Sequence, residues 1–305
     1  KMYCRPDQLA QPRVVTDIAG HVSAAAARET GLPEGTPVIT GTGDSTAEAI
    51  SVGVLEAGDM MLQFGSTLFI YCATDHLVED DRIRGNCFTI PNLFSIAAGT
   101  NTCGTLTRWY RDELFPDAVA REEDGGTNAF EAMLEGLETV PAGSDGLIML
   151  PYFAGERTPI NDPNAKGAIF GLKLSHTRAH LYRSALESVG YSIAQHIDIL
   201  RECGVAPSRI MAVGGGAKNR LWMQMIADII GLPIHISEVS IGASFGDALM
   251  AALGTGRFQS FSDLRSAIHL KETLRPNPDN FDIYQRFRAI YQRLYLQTKD
   301  LMHQL

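Results

Sequence analysis

The alternation of apolar and polar residues predicts short strands separated by turns and helices along most of the chain. Apolar runs of strand length occupy residues 37–41, 145–150, 209–213 and 233–237. A longer stretch, residues 59–72, contains two apolar runs broken at Gly65-Ser66, which is typical of a β-hairpin.

Helical spacing is clearest in residues 176–203, where one face would carry Leu181, Ala185, Val189, Ile193, Ile197 and Leu200. Gly204 follows at the position where helices commonly end. Further helices are predicted over residues 105–114, 219–230, 242–253 and 282–301, whereas residues 118–126 are predicted to form a charged loop. Strands and helices that alternate in this way indicate an α/β fold.

The composition narrows the class of protein. Of the 305 residues, 45% are hydrophobic and 20% are charged, which excludes a disordered chain, a collagen and a coiled coil. Acidic residues outnumber Lys and Arg by 35 to 26, so the net charge is −9. This charge argues against nucleic acid or an anionic membrane surface as a partner, because both attract basic patches.

The cysteines and the apolar runs predict a cytoplasmic protein. The five cysteines are scattered and form no C-x-x-C pair, so we interpret them as reduced thiols. No apolar run reaches the roughly 18 residues that a membrane span needs. The first ten residues are polar and do not have the apolar core of a signal peptide.

The strongest chemical signal is an apolar strand followed by Gly214-Gly215-Gly216 and an amphipathic helix. The N-terminus of a helix attracts anions, and glycines let a phosphate approach the main chain. The dinucleotide fingerprint fails because Asn219 stands where its last glycine belongs, and the chain contains no G-K-[ST] of a Walker motif. Two interpretations remain open, a phosphate site and a tight turn without a ligand.

Two weaker signals precede it in the chain. Gly65-Ser66-Thr67 at the hairpin tip suits a phosphate, which main-chain N–H groups and hydroxyls would bind, but it is also ordinary hairpin composition. Asp44 directly follows an apolar strand, where ligands of α/β proteins usually lie, and could accept a proton from a hydroxyl. An aspartate that only stabilises its own turn is the other interpretation.

Taken together, these segments resemble the FGGY family of carbohydrate kinases, above all their C-terminal half. The family's second signature is matched by Gly167-x-Ile169-x-Gly171-Leu172 and, seven residues later, His180-Leu181-x-x-Ser184-Ala185-Leu186-Glu187. Residues 151–171 resemble the preceding loop as found in xylulose kinases. The segments around Asp44, Gly65, Gly104 and Gly214 resemble the family's base and nucleotide segments.

The resemblance implies the ribonuclease-H-like fold shared with actin and the Hsp70 ATPase. Residues 1–53 would then be the end of the first, sugar-binding domain, and residues 54–305 the C-terminal, nucleotide-binding domain. Family members have about 500 residues, so the N-terminal half of the same kinase is expected as a partner. The terminal helix leaves two packings open, against its own domain or against a second copy in a homodimer.

The implied reaction is transfer of the γ-phosphoryl group of ATP to a hydroxyl of a sugar or polyol, with Mg²⁺ bridging the phosphates. Asp44 would be the catalytic base. The residues implied to contact the nucleotide are Gly65, Ser66, Thr67, Gly104, Gly214, Gly215, Gly216 and Asn219. The loop around Arg157 resembles that of xylulose kinases, which favours a ketopentose such as xylulose as substrate. Ribulose, gluconate, other polyols and a signalling sugar stay open.

Two alternatives remain from other classes of protein. An actin-like module could bind a nucleotide without turnover. A serine hydrolase could use Ser244, because residues 242–246 match G-x-S-x-G and Asp263 and His269 follow in the right order. Against the hydrolase, the strand is predicted to end near Ser237, so that Glu238, Val239 and Ser240 separate it from the motif. Glycines at 242 and 246 that allow close helix packing are the simpler interpretation.

Overall fold

A mixed sheet forms the centre of the molecule and carries helices on both faces. The computed structural model describes residues 4–238 and 242–305. Its strands are β1 (Ile18–His21), β2 (Pro37–Ile39), β3 (Asp59–Phe64), β4 (Leu68–Thr74), β5 (Glu79–Asp80), β6 (Ile83–Cys87), β7 (Phe94–Thr100), β8 (Ile148–Leu150), β9 (Ala168–Phe170), β10 (Arg209–Val213), β11 (Ile234–Ser237) and β12 (Leu270–Leu274). Its helices are α1 (Ala24–Thr30), α2 (Asp44–Ser51), α3 (Gly104–Leu114), α4 (Pro116–Glu123), α5 (Ala129–Ala132), α6 (Arg178–Glu202), α7 (Arg220–Ile230), α8 (Ala243–Gly254) and α9 (Phe281–Met302).

Within these residues, eight strands form the central sheet in the order β12-β11-β10-β3-β4-β7-β6-β5. Strand β10 runs parallel to both β11 and β3, and the other neighbours in the sheet are antiparallel. Val213 pairs with Gln63, so the carboxyl ends of β10 and β3 lie side by side at one edge of the sheet. Strands β1 and β2, and strands β8 and β9, form two small antiparallel sheets.

Neighbouring residues of the central strands enter different cores, because side chains alternate across a sheet. In β3, Met60 and Leu62 pack in a core that includes side chains of α3, α6, α7 and α9. Met61, between them, packs in a second core with side chains of α2 and α8. Strand β10 divides in the same way, with Ile210 in the first core and Met211 in the second. The sheet is therefore covered by helices on both faces.

Helix α6 confirms the stripe of apolar residues that the sequence predicts. Five of the six predicted residues are buried and Leu181 is half-buried. The helix begins at Arg178, where the main-chain N–H of Thr177 donates to Nδ1 of His180 at 3.2 Å. In the described part of the chain, no helix is long and apolar enough to cross a membrane.

The predicted hairpin over residues 59–72 is confirmed by β3 and β4, and the predicted strand–turn–helix of residues 209–230 by β10 and α7. The charged loop predicted over residues 118–126 is wrong, because this stretch mostly belongs to α4. Pro116 begins that helix, Ala118 is buried, and Asp117 is bound by Arg178 of α6 at 2.6 Å. Tertiary contacts thus stabilise a helix whose own sequence is mostly polar.

Helix α2 lies in the stretch predicted to end the first domain, yet it packs closely on α8. Ala47 and Ile50 of α2 are buried in the same core as Leu249 and Met250 of α8. The division between residues 1–53 and 54–305 stays a prediction, and this core is shared by both parts.

Candidate functional site

Two glycine-containing turns lie next to each other at the carboxyl edge of the sheet. The turn at residues 65–67 joins β3 to β4, and Gly214 follows β10, the parallel neighbour of β3. A Cβ built on Gly214, whose φ is +89°, would lie 2.6 Å from the main-chain oxygen of Phe64. Only glycine therefore allows the two turns to approach this closely. Ligands of α/β sheets bind at such an edge.

The start of α3 contacts the first of these turns. The main-chain N–H of Gly104 donates to the oxygen of Gly65 at 2.9 Å, and the N–H groups of Cys103 and Thr105 donate to the oxygen of Ser66. A Cβ on Gly104 would lie 2.5 Å from the oxygen of Gly65. Packing of the helix on the turn is by itself a reason for glycine at position 104.

A cavity of about 480 Å³ opens between these turns and the helices around them. Its lining combines the glycine turns with apolar and charged side chains, namely Phe64, Gly65, Ser66, Gly104, Thr107, Arg108, Asn128, Phe130, Glu131, Leu134, Tyr182, Gly215, Gly216, Lys218, Asn219 and Trp222. A chamber with exposed main chain and apolar and aromatic side chains has the composition of a small-molecule site.

The cavity brings together most of the residues that the sequence predicts for a nucleotide. Those that line it are Gly65, Ser66, Gly104, Gly215, Gly216 and Asn219. Thr67 and Gly214 belong to the same two turns but are not part of its lining.

The glycines of the second turn differ in whether the packing of the chain requires them. A Cβ on Gly216 would lie 2.8 Å from both Phe64 and Trp222, whose rings pack edge-on at 5.3 Å. A Cβ on Gly215 would have no atom within 4 Å, and its φ of −61° is open to any residue. Packing within the chain therefore explains why residue 216 is glycine. It does not explain glycine at 215, where the space beside the cavity is open.

Asn219 caps α7 and is also part of the cavity lining. Its Oδ1 accepts a hydrogen bond from the main-chain N–H of Trp222 at 3.0 Å, the usual cap of a helix N-terminus. Its Nδ2 is not used in that bond and can donate to a ligand. The positive end of the α7 dipole adds an attraction for anions.

Asp44 is the first residue of α2 and is exposed, but it is not part of the cavity lining. Its Oδ1 accepts a hydrogen bond from the main-chain N–H of Ser45 at 2.6 Å. One turn later, Glu48 accepts a hydrogen bond from Gln63 of β3 at 2.6 Å. Burial, followed by the charge of Asp44, raises the pKa of Glu48. This bond links the helix that begins at Asp44 to the strand that leads into the Gly65 turn.

Sequence reasoning missed the side chains that form the walls of the cavity. Aromatic and apolar walls come from Tyr182, Trp222, Phe130 and Leu134, and cations from Arg108 and Lys218. Lys218 is two residues after Gly216 and could have been found from the glycine motif. Trp222 lies on α7, shortly after the glycines. Arg108, Tyr182, Phe130 and Leu134 lie on α3, on α6 and in or beside α5, far away in the chain, so no local pattern links these four to the glycines.

A metal ion would have few protein ligands here. Among residues 4–238 and 242–305, no group of three or more His, Cys, Asp or Glu side chains could hold a metal ion. Mg²⁺ is commonly held by only one or two carboxylates together with substrate phosphates and water. The described residues therefore form no cage for a metal ion, and phosphates and water would have to supply most of the coordination of an Mg²⁺ here.

Two residues of the hydrolase alternative, Asp263 and Gly246, have structural roles. Ser244 is in the first turn of α8, and Oδ2 of Asp263 accepts hydrogen bonds from the main-chain N–H groups of Gln259 and Ser260 at 3.0 and 2.9 Å. Gly246 packs against the main-chain oxygen of Ala47, which confirms the close-packing interpretation for that glycine. Val239 and Ser240, which were predicted to separate the strand from the motif, lie outside the described residues.

Comparison with known proteins identifies a family. Residues 62–255 match the C-terminal domain of the FGGY family of carbohydrate kinases. The chain is 30% identical over 288 residues to a xylulose kinase of Bacillus subtilis, which covers 93% of this chain and 56% of the relative. It is 29% identical over 288 residues to a gluconokinase of the same organism, and this match covers 94% of this chain and 56% of the gluconokinase.

A solved structure agrees with the sequence matches. The xylulose kinase from Rhodospirillum rubrum superposes with a TM-score of 0.86 at 33% identity, covering 95% of this chain and 57% of that one. The chain spans a little over half the length of the curated relatives that it matches.

Proposed function

This chain belongs to the FGGY family of carbohydrate kinases, with their actin-like, ribonuclease-H-like fold, and on that premise we propose that it forms the nucleotide-binding part of an ATP-dependent sugar or polyol kinase. The observation that carries the proposal is the cavity between the two glycine turns. It presents main chain at Gly65 and Gly215 for phosphates and the half-buried side chains of Phe130 and Leu134 for a base.

The proposed nucleotide contacts follow the chemistry of this lining. Ser66 and Thr67 would hold the terminal phosphates through the turn, and Gly215 would leave room for the α-phosphate or ribose. Asn219 would donate to the adenine from Nδ2. Arg108 and Lys218 are further candidates for the phosphates, because both cations line the cavity and both are exposed.

Asp44 is the proposed catalytic base. Phosphoryl transfer is mostly positioning and charge neutralisation, so a carboxylate that accepts the hydroxyl proton and orients the oxygen suffices as the protein's acid–base group. Its exposure at the start of α2 leaves it open to a sugar, and the hydrogen bond that Gln63 donates to Glu48 connects α2 with the strand before the phosphate turn. When bound, Mg²⁺ would neutralise charge on the phosphates.

The sugar side of the site is proposed to come mainly from an N-terminal half of the same kinase. The chain covers 56% of the xylulose kinase and gluconokinase relatives, which leaves room for a further domain in those proteins. Residues 1–53 would be the end of that first domain, and residues 54–305 the nucleotide domain. The terminal helix α9 packs its buried side chains against its own domain. A cytoplasmic location and a homodimer stay predictions.

The proposed substrate is a ketopentose such as xylulose. Relatives named as xylulose kinases support it, but a relative named as a gluconokinase matches at almost the same identity, so sugar acids belong in the test.

The test measures ADP release from Mg·ATP by this chain with ketopentoses, polyols and sugar acids, alone and with the N-terminal half supplied. We expect turnover with one class of sugar, reduced about 10²- to 10⁴-fold by Asp44→Asn because a general base is lost. ADP binding without any turnover in the completed protein would contradict the kinase and favour a nucleotide-binding module.

A further inference from the structure

Glu156 carries a buried carboxyl group that the proposed reaction does not use. It lies in the loop between β8 and β9 and is 3% exposed. Its Oε1 accepts hydrogen bonds from the main-chain N–H groups of Asn101 and Arg157, each at 2.8 Å. Its Oε2 is buried and has no hydrogen-bond partner among the residues that the structure describes. One oxygen of the carboxyl group thus accepts two hydrogen bonds, and the other has no partner among the described residues.

The residues after Glu156 fasten the same loop to the end of β7. The guanidinium of Arg157 donates to the main-chain oxygen of Thr100 at 2.9 Å. The main-chain N–H of Gly99 donates to Oγ1 of Thr158 at 2.8 Å. Together with the bond from Asn101 to Glu156, these contacts hold the last residues of β7 and the residue that follows it.

The held segment leads directly to the phosphate turn. Asn101 is two residues before Cys103, whose main-chain N–H donates to the oxygen of Ser66, and Gly104 donates to the oxygen of Gly65. A shift of Asn101 therefore moves the N–H groups that fix the turn. Glu156 acts on the turn through this main chain and does not itself line the cavity.

The surroundings of Glu156 do not favour a charge. Burial is the main effect and raises the pKa of Glu156 to about 7, against the smaller opposing effects of its two hydrogen bonds and of Arg157. Several titratable or charged side chains surround it, directly or through one neighbour. In its own loop these are Tyr152, Arg157 and Asp162; α9 adds Tyr291 and Tyr295, the residue after α9 is His303, and α6 adds His196. Of these, Arg157 is the nearby cation, and its guanidinium is directed at Thr100.

We propose that Glu156 is a positioning residue for the nucleotide phosphates, one that holds residues 101–104 and the turn at residues 65–67 in place as an uncharged acid and loosens them as a carboxylate. The proposal rests on the proposed nucleotide function. The physical reason is that a charge on the buried, unpartnered Oε2 must draw in water, and the loop must open to admit it.

The test compares the Kd of ADP for the wild-type chain and for Glu156→Gln by calorimetry at about pH 6 and about pH 8. Glutamine keeps the size of the side chain and one acceptor oxygen but cannot ionise. The quantity compared is the Kd of ADP at about pH 8 divided by its Kd at about pH 6. We expect this ratio to be about three- to tenfold larger for the wild type than for the variant. Ionisation of ADP itself affects both proteins equally and cancels in the comparison.

Two further variants keep the outcome clear. Glu138→Gln changes an exposed glutamate outside the site and should keep the wild-type pH dependence. Thr158→Val removes the acceptor for the N–H of Gly99 and should weaken ADP binding at both pH values while the pH dependence remains, which tests the loop even if Glu156→Gln does not fold.

The outcomes separate this proposal from the function on which it rests. ADP binding with the same pH dependence in the wild type and in Glu156→Gln overturns the role of Glu156 and leaves the nucleotide site intact. If Glu156→Gln does not fold, ADP binding that is unchanged by Thr158→Val overturns the proposal. Absence of ADP binding by the wild type at both pH values contradicts the proposed function and this proposal with it.

Discussion

Gly246 of α8 lies directly against the main-chain oxygen of Ala47 in α2, with no room for a Cβ between them. The contact joins a helix predicted for the first domain to a helix of the second, in a core that both share. Glycine at this position lets the two helices approach by main chain alone. The contact also sets the position of α2, which carries Asp44 at its start.

Gly246→Ala is therefore expected to destabilise the chain. The added methyl group must push α8 away from α2, and overpacking of this kind costs about 1–3 kcal/mol. Urea unfolding measures the change. The matched control is Gly20→Ala, since a Cβ there meets no atom within 4 Å. Equal urea midpoints for Gly246→Ala and Gly20→Ala would contradict this expectation, because they would show that α8 moves away from α2 without a loss of stability.

The buried ion pair between Arg183 and Glu187 of α6 yields a second prediction. Nε of Arg183 donates to Oε1 of Glu187 at 2.9 Å, and the same carboxylate accepts hydrogen bonds from the hydroxyls of Tyr284 and Ser144. Glu187→Leu should cost about 3–5 kcal/mol of unfolding free energy, because it leaves Arg183 charged, buried and unpaired.

The control for this pair removes both charges. Because the double variant Arg183→Met, Glu187→Leu leaves no unpaired charge, it should be at least as stable as Glu187→Leu alone. A double variant that loses clearly more stability than the single one would mean that the other contacts of Arg183 outweigh the cost of its charge.

His196 of α6 predicts a loss of stability in acid. Burial lowers its pKa to about 4, and the side chain contacts the main-chain oxygen of Ser192 and Oγ1 of Thr158. The unfolded chain takes up a proton at this histidine near pH 6.5 and the folded chain does not, so the folded state loses stability as pH falls from about 6.5 towards 4.

The measurement compares unfolding free energies at about pH 7 and about pH 5 for the wild type and His196→Gln. Between these values the wild type should lose about 2 kcal/mol more than the variant, which cannot titrate. Equal losses in both proteins would mean that His196 becomes protonated without unfolding.

Much of the fold follows from local patterns. The hairpin at Gly65, the glycine turn after β10 and the helix capped by Asn219 each depend on residues adjacent in sequence, so the pattern predicts them correctly. Helix α4 was missed because only Ala118 among its residues is buried, while contacts from α6 stabilise it. Strand β12 was also missed, since its polar residues form a strand only by pairing with β11.

The candidate site, too, has parts that the sequence predicts and parts that it does not. The glycines of the two turns can be recognised in the sequence, as can the strand ends that carry them. The walls cannot, because Tyr182 and Phe130 lie on segments that only the folded chain brings to the glycine turns. The hydrogen bond from the main chain of Asn101 to Glu156 likewise exists only in the folded chain, because the two residues are far apart in sequence.

The measurement that tests the account most directly is calorimetric titration of this chain with ADP, compared with Gly215→Ala. A Cβ at position 215 meets no atom of the chain and suits the main-chain conformation there, so folding should be unaffected, as in Gly20→Ala. We expect the wild type and Gly20→Ala to bind ADP. Gly215→Ala should be equally stable but bind ADP at least about tenfold more weakly, because its methyl group fills the space through which the phosphates approach. Equal binding by Gly215→Ala, or no binding by the wild type, would contradict a nucleotide site between the two glycine turns.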